Sequence, residues 1–396
     1  MSIRYSCISC GRQIQADGAV YRCPSCAAAQ KPGEFPKGIL VVLFEPREDR
    51  RPGLPVDPLS FLPIRIERHA VFPAGGTPLM EPLALRESTG FPNLFFKNDA
   101  LNPSGSLKDR ASLLVAEQAL MLGERRVVLA STGNAGASMA AAGAAYGLEI
   151  VLFVPAAAPR AKLLQALMHG ARVVPVKGTY DDAFKLSIEY TSKLGGINRN
   201  TGFNPFTIEG KKTVSLEIYN QLDCLPPDVV YVPTGDGVIL GGVWKGFADL
   251  VKAGLAEKLP VLVAVQAEGS NAIARSWNEK HQVVLSSTST IADSLSVACP
   301  ANGEMALNCL RESGGRAVEV SDAEIEKAQA ELGREGGIFV EPSSAAAWAG
   351  FLKDRRNLDP LARVVVLLTG TGFKDLAAAE RLVSVPEPVE PNLEAL

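Results

Sequence analysis

Short apolar runs separated by helical stretches constrain the fold of this 396-residue chain more than any other feature. Continuous apolar runs of four to seven residues are typical of parallel strands that helices cover on both faces. The pattern therefore predicts an α/β fold with parallel-rich sheets flanked by helices. The predicted strands are residues 94–97, 127–130, 150–154, 172–176, 229–232, 261–265 and 364–368.

The net charge and the hydropathy of the chain limit the classes of partner that it can bind. The 40 Lys and Arg residues oppose 43 Asp and Glu residues, which gives a net charge of −3. Such a chain exerts no long-range attraction on nucleic acid or on an anionic membrane. The start, MSIRYSCISC, lacks the apolar core of a signal peptide, and no apolar run approaches the length of a membrane span. We expect a cytoplasmic protein that acts on a small molecule, with no nucleic-acid or membrane partner.

Four of the seven cysteines stand near the amino terminus as two Cys-x2-Cys pairs separated by twelve residues. The pattern is typical of a zinc-ribbon-like segment, in which turns close a tetrahedral thiolate site around Zn²⁺. The four expected ligands are Cys7, Cys10, Cys23 and Cys26. Four thiolates leave no open position, so this zinc would be structural. The alternative is four reduced thiols without a metal.

A lysine stands where a turn meets an Ala-rich helix. Residues 102–112 read NPSGSLKDRAS, and the apolar pattern predicts a helix over 112–121. Lys108 would then lie near the positive end of the helix dipole, which disfavours its charge and lowers its pKa. An amine with a lowered pKa suits attack on an aldehyde. The alternative is an ordinary solvated lysine beside Asp109.

Loops of small polar residues follow two of the predicted strands. Ligands of open α/β sheets bind at the carboxyl ends of strands. The loop STGNAG, residues 131–136, offers hydroxyls and backbone amides to an anion such as a carboxylate, and Asn134 could bond to a ring hydroxyl. The loop TGTGFKD, residues 369–375, places the neutral hydroxyl of Thr369 at a strand end. The alternative for both loops is a cap on the helix that follows.

The loop after the strand at 229–232 is rich in glycine and reads PTGDGVILGG. Glycines let backbone amides approach a phosphate closely, and the dipole of the next helix favours its charge. The loop also comes close to a dinucleotide-binding fingerprint, with Glu268 about where a ribose-binding acid could fall, although its third glycine is one place late. The sequence thus predicts a phosphate cradle in either of two enzyme classes.

An amine, a ring-bonding asparagine, a phosphate cradle and a ring-nitrogen partner are together the parts that hold a phosphorylated aldehyde cofactor. The order of these segments resembles the fold-type II pyridoxal-phosphate enzymes, and specifically their threonine synthase branch. NPSGSLKDR resembles that branch's NPTGSFKDR, STGN its STGN loop, NPFTIEGKKT its NPxRxEGQKT, EPSSAAAWAG its EPASAAAxAG, and TGTGFKD its TGHGLKD. The resemblance spans about residues 75–375, and an amino-terminal cysteine ribbon also occurs in some members.

The resemblance implies pyridoxal 5′-phosphate (PLP) as the cofactor. Lys108 would join its aldehyde, Asn134 would contact its 3′ oxygen, and Thr369 would face its pyridine nitrogen. A hydroxyl at that nitrogen, unlike a carboxylate, does not stabilise a pyridinium, which suits elimination and replacement better than transamination. The other implied contacts are Gly235, Asp236, Gly237, Val238 and Ile239 with the cofactor phosphate, and Ser131, Thr132 and Ala135 with the substrate carboxylate.

Three positions depart from the family pattern. Thr207 stands where the NPxR segment has the arginine that grips the substrate's phosphate, and one hydroxyl does not replace bidentate Arg recognition. Thr371 replaces the histidine of TGHG. The Asn-rich phosphate loop of the family is GDGVI here, and Asp236 would repel a phosphate unless its side chain turns outward.

The expected activity is that of a PLP-dependent lyase or synthase that forms threonine and phosphate from O-phosphohomoserine and water. The first alternative is a β-replacement enzyme such as cysteate synthase, acting on O-phosphoserine, and the second is a serine or threonine dehydratase. Two alternatives lie outside this class. One is an NAD-dependent oxidoreductase that uses the glycine loop, and the other is a zinc-ribbon interaction protein with an inactive α/β body.

The resemblance also implies a division into domains and a homodimer. Lys108 would lie in a cleft, and the smaller domain would close over the substrate. The expected segments are the ribbon (1–30), a Pro-rich connector (31–73), the larger PLP domain (74–108 and 205–384), the smaller domain (109–204) and a poorly ordered tail (385–396).

Overall fold

The computed structural model describes residues 2–31, 33–45 and 51–391. It confirms the expected α/β fold, because helices cover two parallel-rich sheets on both faces. In the described part of the chain the strands are β1 (Ile3–Cys7), β2 (Gln13–Ala16), β3 (Leu40–Val42), β4 (Leu79–Met80), β5 (Leu94–Asn98), β6 (Arg126–Ala130), β7 (Glu149–Pro155), β8 (Arg172–Val176), β9 (Ile197–Asn198), β10 (Val229–Pro233), β11 (Val261–Ala267), β12 (Arg316–Val320) and β13 (Val364–Leu368).

The helices of the same described ranges alternate with these strands from residue 83 onward. They are α1 (Pro24–Ala28), α2 (Leu83–Thr89), α3 (Lys108–Met121), α4 (Asn134–Tyr146), α5 (Arg160–Met168), α6 (Tyr180–Leu194), α7 (Phe206–Lys211), α8 (Thr213–Gln221), α9 (Val238–Lys252), α10 (Ala272–Glu279), α11 (Gly303–Glu312), α12 (Asp322–Arg334), α13 (Pro342–Asp354) and α14 (Leu376–Glu380). None of them has both the length and the apolar character that crossing a bilayer requires.

Three sheets organise the chain. The larger has the order β12-β11-β10-β13-β5-β4, and all of its neighbouring strands are parallel except the β4–β5 pair. A parallel four-stranded sheet, β8-β7-β6-β9, is built entirely from residues 126–198. The third, antiparallel sheet, β2-β1-β3, carries the amino-terminal cysteines. The strand ends of the two parallel sheets supply the loops of the candidate site.

Every predicted strand lies within an observed one, and two of them, β8 and β13, have the predicted bounds. Strand β12 was not predicted, because it reads RAVEV and is mostly half-buried at the edge of the larger sheet. An edge strand keeps polar side chains, so it lacks a continuous apolar run. The Pro-rich connector contains no α-helix over 51–73, and residues 385–391 form neither helix nor strand.

A buried network of charges anchors helix α3 two residues after Lys108. Arg110 Nε lies 2.6 Å from Asp99 Oδ2, and its Nη1 lies 2.6 Å from Glu217 Oε1. The other carboxylate oxygen of Glu217 lies 2.7 Å from Lys97 Nζ. Two carboxylates thus face two cations, which is the pairing that buried charges require. The network fixes the first turn of α3 to strand β5 and helix α8.

Candidate active site

Lys108 is the first residue of α3. Its side chain is half-buried, and its Nζ has no hydrogen-bond or ion-pair partner among the described residues. Burial lowers its pKa, and the charge of Arg199 adds to the effect, while Asp236 and Glu341 oppose it. The pKa of Lys108 is therefore lowered as expected, although the main cause is burial rather than the helix dipole.

Asp109 does not hold the lysine. Its carboxylate is buried and accepts hydrogen bonds from the backbone N (2.6 Å) and the Oγ (2.5 Å) of Ser104. The turn that carries Lys108 is tied to the end of β13, because Leu107 N donates to Thr369 O at 2.8 Å. Asp109 is thus bonded to Ser104 and makes no ion pair with Lys108 among the described residues.

The STGN loop joins β6 to α4 and forms one wall of a cavity of about 210 Å³. Thr132 and Asn134 line this cavity, and Ala135 is half-buried. Ser131 Oγ accepts from Gly133 N (3.3 Å) and Gly136 N (3.1 Å), so its hydroxyl also caps the first turn of α4. The capping alternative therefore applies to Ser131, while Thr132 remains open to the cavity.

Asn134 is hydrogen-bonded to Glu341, an acidic residue for which the sequence predicted no role. Its Nδ2 lies 3.0 Å from both carboxylate oxygens of Glu341, the residue that precedes α13. Burial raises the pKa of Glu341, although the hydrogen bond from Asn134 and the charge of Lys108 lower it. Gly370 packs against this carboxylate, because a Cβ there would lie 2.5 Å from Glu341 Oε1. Glu341 lies in the EPSS segment, but nothing in the local sequence indicates that it pairs with Asn134, which is 207 positions away.

Thr369 is buried at the carboxyl end of β13 and has a second hydroxyl beside it. Its Oγ1 lies 3.2 Å from Ser344 Oγ, which also accepts from the backbone N of Thr369 (3.0 Å) and Gly370 (2.7 Å). No local sequence pattern indicates a role for Ser344. Thr371 caps the short turn that follows and accepts from Phe373 N at 3.5 Å.

The glycine loop joins β10 to α9 and presents unpaired amides. The backbone N–H groups of Gly235, Asp236 and Gly237 donate no hydrogen bond to any residue within the described ranges. Gly237 has φ 87°, and a Cβ there would lie 2.7 Å from Asn302 O. A side chain is therefore excluded at Gly237, whose backbone conformation sets the direction of the loop. Val238 is buried and Ile239 half-buried at the start of α9.

Asp236 does not simply turn away from the loop. Its Oδ1 accepts from Val238 N at 3.0 Å, so the carboxylate caps α9. It also interacts electrostatically with Lys108, Arg199 and Lys211. Asp236 thus provides negative charge beside a group of buried cationic side chains.

These residues fit PLP on their own chemistry. An unpartnered amine suits an aldehyde, three unpaired amides at a helix start suit a phosphate, and two neutral hydroxyls suit an unprotonated ring nitrogen. Glu268, the acid expected in a dinucleotide site, is exposed and lies 3.6 Å from Lys353 Nζ. It therefore gives the dinucleotide alternative no support.

The four cysteine thiols also come together. Their Sγ atoms all lie within 4.8 Å of one another, with 3.7 Å between those of Cys7 and Cys26 and 3.9 Å between those of Cys10 and Cys23. Four sulfurs at 2.3 Å around a tetrahedral zinc are about 3.8 Å apart. The thiols thus have the spacing of a closed zinc site, and the same distances exclude a disulfide.

Residues 72–370 match the family model described as pyridoxal-phosphate dependent enzyme. The chain belongs to this family, as the fold and the site indicate, and its similarity to threonine synthases confirms the expected branch.

The threonine synthase of Methanocaldococcus jannaschii is 34% identical over 98% of this chain and 97% of that protein. The threonine synthase of Mycobacterium tuberculosis H37Rv is 36% identical over 80% of this chain and 87% of that one. Among solved structures, a fungal L-serine ammonia-lyase from Rhizomucor miehei has a TM-score of 0.69 at 25% identity and covers 78% of this chain and 97% of its own.

Proposed function

We propose that this chain is a threonine synthase that uses PLP to convert O-phosphohomoserine and water into threonine and phosphate. The observation that carries the proposal is the similarity to a threonine synthase over nearly the whole of both chains, in a protein whose Lys108 amine has no partner. When bound, PLP supplies an electron sink for negative charge at the α and β carbons of an amino acid.

The residues of the site would share the work of binding. Lys108 would hold the aldehyde of PLP, and the amides of residues 235–239 would hold its phosphate. Thr369, supported by Ser344, would face the ring nitrogen, while Asn134, oriented by Glu341, would contact the 3′ oxygen. Ser131, Thr132 and Ala135 would surround the substrate carboxylate at the start of α4.

Lys108 would also move the substrate's protons. Burial lowers the pKa of Lys108, which favours the neutral amine that could act as a base at the α carbon. Thr369 and Ser344 would present hydroxyls to the ring nitrogen, where transaminases have a carboxylate. Hydroxyls at this place favour elimination and replacement over transamination. The arrangement suits loss of a γ phosphate followed by addition of water.

Thr207 favours a second candidate, an enzyme that acts on a β-substituted amino acid. Its side chain is buried, and its Oγ1 donates to Asn204 O at 2.7 Å, so this hydroxyl does not supply the charge of the missing arginine. This candidate is a β-replacement enzyme of the cysteate synthase kind on O-phosphoserine, or a dehydratase of serine or threonine.

Product analysis separates these activities. The PLP-loaded protein is assayed for phosphate release from O-phosphohomoserine and from O-phosphoserine, with and without sulfite, and for keto acids from serine and threonine. We expect phosphate and threonine in equal amounts from O-phosphohomoserine. Sulfite-dependent phosphate release from O-phosphoserine, or keto acids as the main products, would replace the proposal with the second candidate.

We also propose that the four cysteines bind one structural Zn²⁺ per chain, because their thiols have the spacing of a tetrahedral site. Replacing Cys10 with serine should reduce the zinc content from about one per chain to near zero and lower the melting temperature by about 5 °C or more. The measurements are elemental analysis and thermal unfolding. The matched control is Cys299→Ser, since Cys299 is exposed and outside the cluster. Equal zinc content in the two variants would refute the site.

A homodimer and closure of residues 109–204 over the substrate remain predictions from the resemblance, and a cytoplasmic location remains a prediction from the sequence composition. Closure should make small-angle scattering profiles of the PLP-loaded protein more compact when an unreactive substrate analogue is added. Profiles that do not change would count against it.

A further inference from the structure

Two buried cations near Lys108 have no counter-ion in contact. Arg199 and Lys211 are fully buried, and neither makes an ion pair within 4 Å to a residue that the structure describes. Lys211 Nζ and Arg199 Nε have no hydrogen-bond partner among the residues that the structure describes. Lys and Arg are almost never fully buried unless they are paired. Burial lowers the pKa of both groups, and their free donors could bind an oxyanion.

The two side chains reach the site from different elements. Arg199 follows strand β9, where its backbone N donates to Val128 O of the smaller sheet, and its Nη1 donates to Thr201 Oγ1 at 2.6 Å. Lys211 is the last residue of α7, and its Cβ is so close to α9 that a Cβ on Gly242 would lie 2.7 Å from it. The cluster thus lies where β9, α7, α9 and the start of α3 meet.

Asp236 is the carboxylate that all these cations share. It interacts electrostatically with Lys108, Arg199 and Lys211, and it is the sole acidic residue that acts on Lys211 among the described groups. Asp236 Oδ1 already accepts from Val238 N, and Asp109 is a second carboxylate that acts on Arg199. Lys211 Nζ and Arg199 Nε nevertheless have no acceptor among the described residues. Both side chains interact electrostatically with Asp236, which also acts on Lys108.

We propose that Lys211 and Arg199 bind the anionic end of the substrate side chain, and so select an amino acid that carries a phosphate or another oxyanion. The inference rests on the proposed function for the identity of that substrate. Thr207, one helical turn before Lys211 on the same face of α7, has its hydroxyl committed to Asn204 O. The positive charge that position 207 lacks is thus supplied from position 211.

The cofactor phosphate is the other oxyanion that this site would meet. Three unpaired amides at the start of α9 already receive it in the proposed arrangement, and they are held by a loop with no space for a side chain at Gly237. The test therefore measures the affinity for PLP and for substrate-like amino acids separately.

The probe is an unreactive pair of amino acids with the same carbon chain. L-2-amino-5-phosphonopentanoate places a phosphonate where O-phosphohomoserine has its phosphate, and L-norvaline has no charge there. Both are titrated into PLP-loaded protein by calorimetry and by the visible absorbance of the cofactor. We expect the wild type to prefer the phosphonate, and Lys211→Gln to weaken phosphonate binding by about 30-fold or more while changing norvaline binding less than threefold.

The controls separate this role from a structural one. Lys212→Gln changes the next residue, whose Nζ is paired with Glu209 (2.5 Å) and Asp249 (2.7 Å), so it should lower the melting temperature. Lys211→Gln removes an unpaired buried charge, so its melting temperature should equal or exceed that of the wild type. Arg199→Lys, which keeps the charge, should lose less phosphonate affinity than Arg199→Gln.

Each other outcome is decisive. Equal losses for phosphonate and norvaline, or none for either, would overturn the proposal. A Lys211→Gln variant that binds PLP at least tenfold more weakly, with unchanged phosphonate affinity, would assign the cations to the cofactor and overturn it too. If the wild type prefers the phosphonate but releases no phosphate from O-phosphohomoserine, the proposed reaction fails while the anion subsite stands.

Discussion

Lys108→Ala should lose turnover by at least about 10³-fold, because the chain would lack both the amine that holds the aldehyde and the base that takes the α proton. The same variant should also fail to exchange the α proton of serine in deuterated water, as followed by NMR. Borohydride reduction of the PLP-loaded wild type should fix the cofactor on the peptide that contains Lys108, as identified by mass spectrometry.

Two controls test whether the effect is specific to Lys108. Lys185 is exposed on α6, so Lys185→Ala should retain full activity. Lys211 is the second buried amine of the site, and the peptide mass distinguishes it from Lys108. Cofactor fixed on Lys211, or substantial turnover by Lys108→Ala, would contradict the assignment of the active-site amine.

Arg110→Met should lower the free energy of unfolding by about 3–5 kcal/mol, the largest stability loss we expect from one substitution. Removal of the guanidinium leaves the Asp99 carboxylate without a cation in contact and with the hydroxyl of Thr77 as a donor, and it leaves Glu217 with Lys97 and the backbone N of Gly76. Denaturant unfolding followed by circular dichroism measures the loss. Activity should fall with it, because the network holds the first turn of α3 and therefore Lys108.

The control for Arg110 is an ion pair at the surface. Arg126 Nε lies 2.7 Å from Glu149 Oε2 in a partly exposed pair, so Arg126→Met should cost about 1 kcal/mol or less. Similar losses for the two variants would mean that the buried network contributes no more than an ordinary surface pair.

The sequence predicted those parts of the molecule that have a local signal. Buried strands such as β13 are continuous apolar runs, and Lys108 follows a turn at a recognisable helix start. The edge strand β12 and the two-residue strand β9 lack such runs. The pairing of Asn134 with Glu341, the contact of Ser344 with Thr369 and the burial of Lys211 depend on segments far apart in the chain. Local patterns do not contain that information, so these residues emerged only from the fold.

The residues that flank the amino-terminal sheet make direct contacts with segments around the candidate site. Tyr21 stacks on Phe203 with 4.8 Å between ring centroids and accepts from Asn198 N, while Arg22 Nη2 donates to Gly202 O at 2.8 Å. On the other side, Ser9 Oγ donates to Glu304 Oε2 at 2.6 Å, and Phe35 fills the space against Gly303.

A shortened protein that begins after the cysteines would therefore retain every recognised motif from residue 102 onward and still lack several contacts to the segments around the candidate site. The ring of Phe203 would lose its stacking partner, and the segment that carries Arg199 would lose two of its hydrogen bonds. Trimming this chain to residues 72–370, which match the family model, would thus remove contacts to the segment that carries Arg199.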